Sequence, residues 1–531
     1  WILIFLESPY LFHPPHRTSI VTQPNILFIS TDQHHYQALG MVNPQVKTPN
    51  LDRLAAAGTR FDRAYCPNPT CSPTRASLIT GLYPSSHGCW AIGVKLAEDV
   101  PTVGDVFQAN GYDATLIGKA HFQPLASAPG SESIERQPLL RDLDFWRDFQ
   151  GPWYGFNRVE TGRMHANESH AGQHYAIWME EKGLANWREF FVDWPHRADD
   201  KYAGPWYMRD ALTWDLPEEF HHTRWVAERS IANMQRCVDE GKPFFQWASF
   251  FDPHPPYVLP EPWASMYDPA TLDLPSHTPG EFDAMPPHFA RTQQADPDYS
   301  DYQEPGGKEV HGFHSHLHSE EEMRRSLACY YGMISFIDQE VGRMLDYLDE
   351  SGLAENTLVV FTTDHGHFLG QHGLIAKGPF HYEDVIRVPM IVRWPGKVPA
   401  GQVSQALQSL VDYPQSFLAA AGIDAPGAMQ GVNQLPVWTG EVESARAWAL
   451  VENRHNPTTV DLRTLITERY KITVYRDAPY GELFDLQEDP GELRNRWDDP
   501  AYAAVKSDLL LRFVQAEIQR EGTRMPRIAG A

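Results

Sequence analysis

Two stretches of the chain carry four apolar residues in a row, and each ends on an aspartate. They are Asn25-Ile-Leu-Phe-Ile-Ser-Thr-Asp32 and Thr357-Leu-Val-Val-Phe-Thr-Thr-Asp364. Continuous rather than alternating apolar character marks strands covered on both faces, as in parallel sheets. Two further runs behave alike. Tyr112-Asp-Ala-Thr-Leu-Ile117 leads into Gly118-Lys119-Ala-His121, and Phe244-Phe-Gln-Trp-Ala-Ser-Phe-Phe251 leads into Asp252-Pro-His254. Elsewhere the period is helical: residues 51–58, 74–79, 103–111 and 322–351 read as helices, the last with Met323, Leu327, Tyr330, Met333 and Ile337 near helical spacing. From about residue 460 the pattern shortens to strands at 462–466, 470–475 and 482–486, with a helix over 500–520. Strands alternating with helices predict an α/β layer fold, and the short strands predict a small antiparallel unit beside it.

In an open parallel sheet, ligands bind beyond the carboxyl ends of the strands. Asp32 and Asp364 therefore fall on one edge although more than 300 residues separate them. Gln33 and His365 follow them directly, and Cys71-Ser-Pro-Thr-Arg75 lies between the two strands. Two carboxylates, an amide, an imidazole and a cysteine on one edge predict a metal site with a nucleophile. Three oxygen-type ligands and one imidazole suit a hard or borderline divalent ion. Cys71 precedes a helix, whose unpaired amides favour an anion there. Lys119 and His121, one residue apart after a strand, are expected to project to one side of extended backbone. Prolines hold His254 in place, and Lys377 sits in an Ala-Lys-Gly-Pro turn.

Composition narrows the function. With 531 residues the chain exceeds one typical core, so a large domain with a smaller one is expected. The boundaries read as an N-terminal extension at 1–24, a catalytic domain at 25–440 and a C-terminal α+β subdomain at 441–531. A net charge of −25 argues against nucleic-acid binding through a basic surface. No apolar run reaches the length of a membrane span. The apolar start Trp1-Ile-Leu-Ile-Phe-Leu6 lacks a basic flank, so no complete signal peptide is legible, and cytoplasm and periplasm both stay open. Five scattered cysteines form no disulfide framework. The segment 123–230 shows no strong sheet pattern yet holds eight of the 16 tryptophans, and it is expected to pack onto the body as an insertion, a few of its rings walling a pocket. His165, His170 and His174, and the group His311, His314, His316 and His318, read as solvated loop histidines, with a second metal site at the latter as the alternative.

These motifs, in this order, resemble the formylglycine-dependent sulfatase family of the alkaline-phosphatase superfamily. The resemblance rests on Cys71-x-Pro73-x-Arg75 with Gly81, on Gly118-Lys-Ala-His121, Asp252-Pro-His254, Thr363-Asp-His-Gly366, Lys377-Gly378 and Glu482-Leu-Phe-Asp-Leu-Gln-Glu-Asp-Pro490. It implies a large, mostly parallel mixed sheet flanked by helices, and a smaller C-terminal antiparallel sheet with a helix. It implies that a formylglycine-generating enzyme oxidises Cys71 to formylglycine, whose hydrate attacks sulfur. Asp32, Gln33, Asp364, His365 and the converted Cys71 then hold one divalent cation, calcium first, with manganese or magnesium as alternates. Arg75, Lys119, His121 and Lys377 hold the diol and the transferring sulfate, and His254 is the expected general acid. The expected substrate is an aryl sulfate or a small-molecule or saccharide sulfate ester, and a homo-oligomer is left open. Two departures matter. Gln33 and His365 are the ligand types of related phosphonate monoester and phosphodiester hydrolases, which carry Tyr and Thr where this chain has Lys119 and His121. Residues 88–93 also lack the asparagine that many relatives place there. A non-catalytic carbohydrate-binding protein is the remaining alternative, and the intact set of reactive residues argues against it.

Overall fold

The computed structural model describes residues 23–163, 170–191, 212–294, 298–302, 319–455 and 458–521. Eight strands build the main sheet: β1 (Asn25–Thr31), β2 (Thr59–Phe61), β3 (Asp113–Lys119), β4 (Arg158–Gly162), β5 (Phe244–Ser249), β6 (Thr357–Thr363), β7 (Ile391–Arg393) and β8 (Gln402–Ser404). Their order is β8-β2-β7-β6-β1-β5-β3-β4. The run from β6 to β4 is parallel, and β7 is antiparallel to both its neighbours.

The near-continuous apolar strands have the cause inferred from their sequence. Ile26 and Phe28 enter one core with Leu358, Val360 and Trp247, while Leu27 and Ile29 enter the opposite core with Val359, Phe361 and Ala248. Each strand is thus sandwiched between two apolar layers. One layer is closed by α3 (His222–Glu240) and the long α4 (Glu320–Glu350), the other by helices that include α2 (Cys71–Thr80). Helix α1 (Pro49–Ala56) is tied to α4 by Asp338, whose carboxylate accepts Leu51 N–H at 2.7 Å. Ser319 caps α4 by accepting Glu322 N–H at 3.2 Å.

The C-terminal unit is a four-stranded antiparallel sheet: β9 (Ala449–Arg454), β10 (Asp461–Ile466), β11 (Tyr470–Tyr475) and β12 (Gly481–Asp485). The last helix, α5 (Ala503–Gln519), covers it through Leu509, Phe513 and Ala516 on Leu450, Leu465, Ile472 and Leu483. No helix among the described residues is long and apolar enough to cross a membrane.

Several expectations need correction. The segment 123–230, in which no strong sheet pattern is legible, nonetheless supplies the edge strand β4 and the start of α3. Strand β4 is short and carries Arg158, Glu160 and Thr161, so its apolar signal is too weak to read. The helix expected at 74–79 begins at Cys71 itself. Strand β9 lies before residue 460, where no strand was read. The insertion's Trp146, Trp153, Trp178, Trp187 and Trp225 are buried in the cores, which is the packing role. Trp194, Trp206, His165 and His311–318 lie outside the described residues. His174 is structural: Nδ1 accepts Thr161 N–H at 3.0 Å and Nε2 meets Phe149 O at 2.7 Å.

Candidate active site

The central strands β1 and β6 run side by side in register, Thr31 opposite Thr363, so Asp32 and Asp364 leave the sheet together. Gln33 N–H donates to Asp364 Oδ1 at 3.1 Å, and His365 N–H donates to the same oxygen at 2.9 Å. Strand β3 arrives two positions away along the sheet and delivers Lys119, whose ammonium pairs with Asp32 Oδ2. Gly118 makes this approach possible: its φ is +104°, and a Cβ there would stand 1.9 Å from Ser249 O on β5.

Helix α2 enters the same edge end-on. Cys71 is its first residue, with Sγ 3.5 Å from Asp32 Oδ1 and 3.2 Å from His365 Nε2. Arg75, one turn on, is completely buried. Its Nε donates to Ala120 O at 3.0 Å, its Nη1 pairs with Asp364 Oδ2 at 3.3 Å, and its Nη2 donates to Lys119 O and Ser249 Oγ. One arginine therefore bolts the helix to three strand ends.

Lys377 closes the group. Its ammonium lies 2.9 Å from Gln33 Oε1, 3.2 Å from Cys71 Sγ, 3.2 Å from His365 Nε2 and 3.5 Å from His254 Nε2. Nine of the ten residues predicted from sequence thus join one network of direct contacts. His121 is the tenth. It is buried, and neither ring nitrogen has a hydrogen-bond partner among the described residues. The expected extended backbone at 119–121 does not hold, because His121 has φ +60°. A turn, not strand alternation, sets the direction of its ring.

The electrostatics follow from burying many charges at once. Burial alone would raise the Asp32 carboxyl, but Lys119, His254, Lys377 and His365 outweigh it and hold the group well below the usual carboxylate range. Burial, reinforced by Asp32, pushes the Cys71 thiol up to about 11. Burial and Lys377 press His365 down to about 4, so its imidazole is neutral and has a lone pair to give. Burial presses His254 and His121 well below the ordinary histidine value; Lys377 and Lys119 add to this at both, against an opposing pull from Asp32 at His254.

The donor set fits a divalent cation. Ligand atoms of Asp32, Cys71, Asp364 and His365 lie within 4.8 Å of one another, all buried. The Lys377 ammonium already sits against three of the donors, the Gln33 oxygen, the His365 nitrogen and the Cys71 sulfur, so the pocket is shaped around positive charge. A second cluster, His221, His222 and Asp252, is of another kind. His221 Nδ1 caps α3 by accepting Thr223 N–H at 3.2 Å, which leaves the ring proton on Nε2 and removes it as a ligand.

Sequence reasoning missed the residues that hold Gln33. Gln33 Nε2 lies 2.6 Å from His367 Nδ1, His367 Nε2 meets the Tyr257 hydroxyl, and the Tyr330 hydroxyl donates to Gln33 O at 2.9 Å. The sole trace in the sequence is a second histidine after Asp364-His365-Gly366.

Residues 24–423 match the sulfatase family model, and residues 370–519 match the model of the N-sulphoglucosamine sulphohydrolase C-terminal region. An arylsulfatase of Clostridium perfringens is 29% identical over 94% of this chain and 95% of its own. The multifunctional alkaline phosphatase superfamily protein PehA of Trinickia caryophylli is 30% identical over 92% of this chain and 94% of its own. Among solved structures, a phosphonate monoester hydrolase from Silicibacter pomeroyi superposes with a TM-score of 0.74 at 26% identity, covering 94% of this chain and 96% of its own.

Proposed function

Since the chain belongs to the sulfatase family and is thereby a sulfuric ester hydrolase, we propose that it cleaves sulfate monoesters of aryl alcohols or sugars through a formylglycine made from Cys71. A divalent cation held by Asp32, Gln33, Asp364, His365 and the converted residue 71 would polarise a sulfate oxygen and favour an ionised nucleophile. This chain's residues would do the rest. Lys119 and Lys377 offset the charge that collects on the transferring group, in a buried site where such charge is felt strongly. Arg75 keeps the start of α2, and so the nucleophile, in register with Asp364. His254 delivers a proton to the leaving oxygen. Burial, with the neighbouring Lys377 and Lys119, holds the His254 ring neutral, so an anion beside it is needed before it takes up that proton.

The observation that carries the sulfatase reading is Lys119, a buried ammonium paired with Asp32 inside the site. A second reading, phosphonate monoester or phosphodiester hydrolysis, is favoured by the Gln33 and His365 ligand pair and by the likeness to a phosphonate monoester hydrolase. Both substrate classes present a tetrahedral centre with a single negative charge, so one cationic pocket can accept either. The test is kcat/KM for matched aryl sulfate and aryl phosphonate esters, in the native protein and in Lys119→Tyr/His121→Thr. The sulfatase reading expects the native protein to prefer the sulfate and the double variant to lose sulfate turnover far more than phosphonate turnover. A native preference for the phosphonate over every sulfate tried would overturn it.

A further inference from the structure

Gln33 differs from the other ligand candidates in one chemical respect. A carboxylate presents an oxygen whichever way it turns, but an amide has a correct and an incorrect orientation. Its Oε1 can hold a cation and its Nε2 cannot. We infer that His367 is a positioning residue that fixes the sense of the Gln33 amide, so that the oxygen faces the cation position. This rests on the reading of Gln33 as a metal ligand given above.

The backbone of Gln33 is pinned from both sides. Its N–H donates to Asp364 Oδ1 at 3.1 Å, its carbonyl accepts from the Tyr330 hydroxyl at 2.9 Å, and its φ of +64° is one that a side-chain-bearing residue adopts only under constraint. What remains free is the amide flip. One end of the amide faces positive charge, the Lys377 ammonium at 2.9 Å from Oε1. The other end lies 2.6 Å from His367 Nδ1. An amide nitrogen is a donor only, so Nδ1 accepts and the ring proton rests on Nε2, where the Tyr257 oxygen receives it. The ring cannot swing away, because it is fully buried and stacked on Tyr330 with centroids 5.1 Å apart and planes 17° from parallel. Without an acceptor at this place the amide N–H group would be buried and unpaired, and flipping toward the cation pocket would be its relief. Partners in the second layer around a metal commonly affect its affinity by tenfold or more.

The test is a double-mutant cycle read as manganese affinity, by titration calorimetry on full-length protein stripped with chelator. His367→Phe keeps the ring stacking and removes the acceptor. It is expected to weaken manganese binding about tenfold in the Gln33 background. In a Gln33→Glu background, where the ligand has no wrong orientation, the same substitution is expected to change affinity less than about twofold. Equal losses in the two backgrounds, or no loss in either, would overturn the inference. Tyr257→Phe is the smaller perturbation, to be used should His367→Phe not fold, and the same asymmetry is expected with a lesser loss. Gln33→Ala separates the two levels. Unchanged manganese affinity there removes Gln33 from the ligand set and the inference with it. Weakened affinity without the His367 asymmetry overturns the inference alone.

Discussion

Replacing Arg75 with methionine should destabilise the metal-stripped protein by about 4–8 kcal/mol. Methionine keeps the apolar stem and deletes only the guanidinium, whose bonds are spread over three strand ends. Lys119 O loses one partner but keeps the Ser249 hydroxyl at 2.8 Å, so it is not stranded. Ala120 O loses the bond at 3.0 Å, and Asp364 Oδ2 loses its 3.3 Å cation while staying fully buried. Breaking one side of a buried ion pair is the larger effect, because the carboxylate is left without its compensating charge, and an unpaired carbonyl adds about 1–3 kcal/mol. The guanidinium also lies 5.0 Å over the Trp247 ring, a contact that is lost as well. Arg75→Lys restores the charge without the fork and should recover about half of the loss. Urea unfolding followed by tryptophan fluorescence, with and without manganese, measures both. The ion should recover part of the methionine variant's deficit, since it compensates Asp364. A loss below about 1 kcal/mol in the metal-stripped variant would refute the view that Arg75 is a buried clamp.

Cys71→Ala should keep the native circular dichroism and lose turnover by at least about a thousandfold. Residual activity within about a tenth of native would remove Cys71 as nucleophile, and intact mass should show native residue 71 with oxygen in place of sulfur and two hydrogens fewer. Asp32→Ala/Asp364→Ala should abolish the binding of about one equivalent of calcium or manganese seen by elemental analysis, and with it activity. The native protein should gain about 2.7 kcal/mol of stability at a hundredfold excess of the ion over its Kd, and the double variant none. His372 lies between Asp384 at 3.6 Å and Glu281 at 3.7 Å. Burial alone would lower its pKa, but the two carboxylates outweigh burial and raise it to about 9. The proton is bound more tightly in the folded state, so this stabilisation is complete below about pH 6.5 and disappears as pH rises through 9, a change on the order of 3 kcal/mol. His372→Gln should flatten the pH dependence of stability over that window, and an unchanged slope would count against the pairing.

Much of this protein is legible in one dimension. Strands β1 and β6 each carry four apolar residues in a row, and β3 and β5 shorter runs, because both faces of the sheet are covered, and that demand is written residue by residue. Each hands on a polar residue at its end, so Asp32, Lys119, His254 and Asp364 could be named before any coordinates. The family followed from the order of those motifs, and the matching sulfatase model agrees. Strand β4 was not legible, since an edge strand of five residues with Arg158 and Glu160 carries too little apolar signal. The direction of the His121 ring was not legible either, because a left-handed turn at one residue leaves no periodic trace. Nor was the support of Gln33. His367 stands 334 residues away from it in the chain, and Tyr257 and Tyr330 come from different elements. A strand's burial is a local demand on consecutive side chains and therefore repeats along the sequence. The sense of one amide is decided by three aromatic side chains that meet only when the loop after β5, the loop after β6 and helix α4 close on one another, and no period along the chain records that meeting.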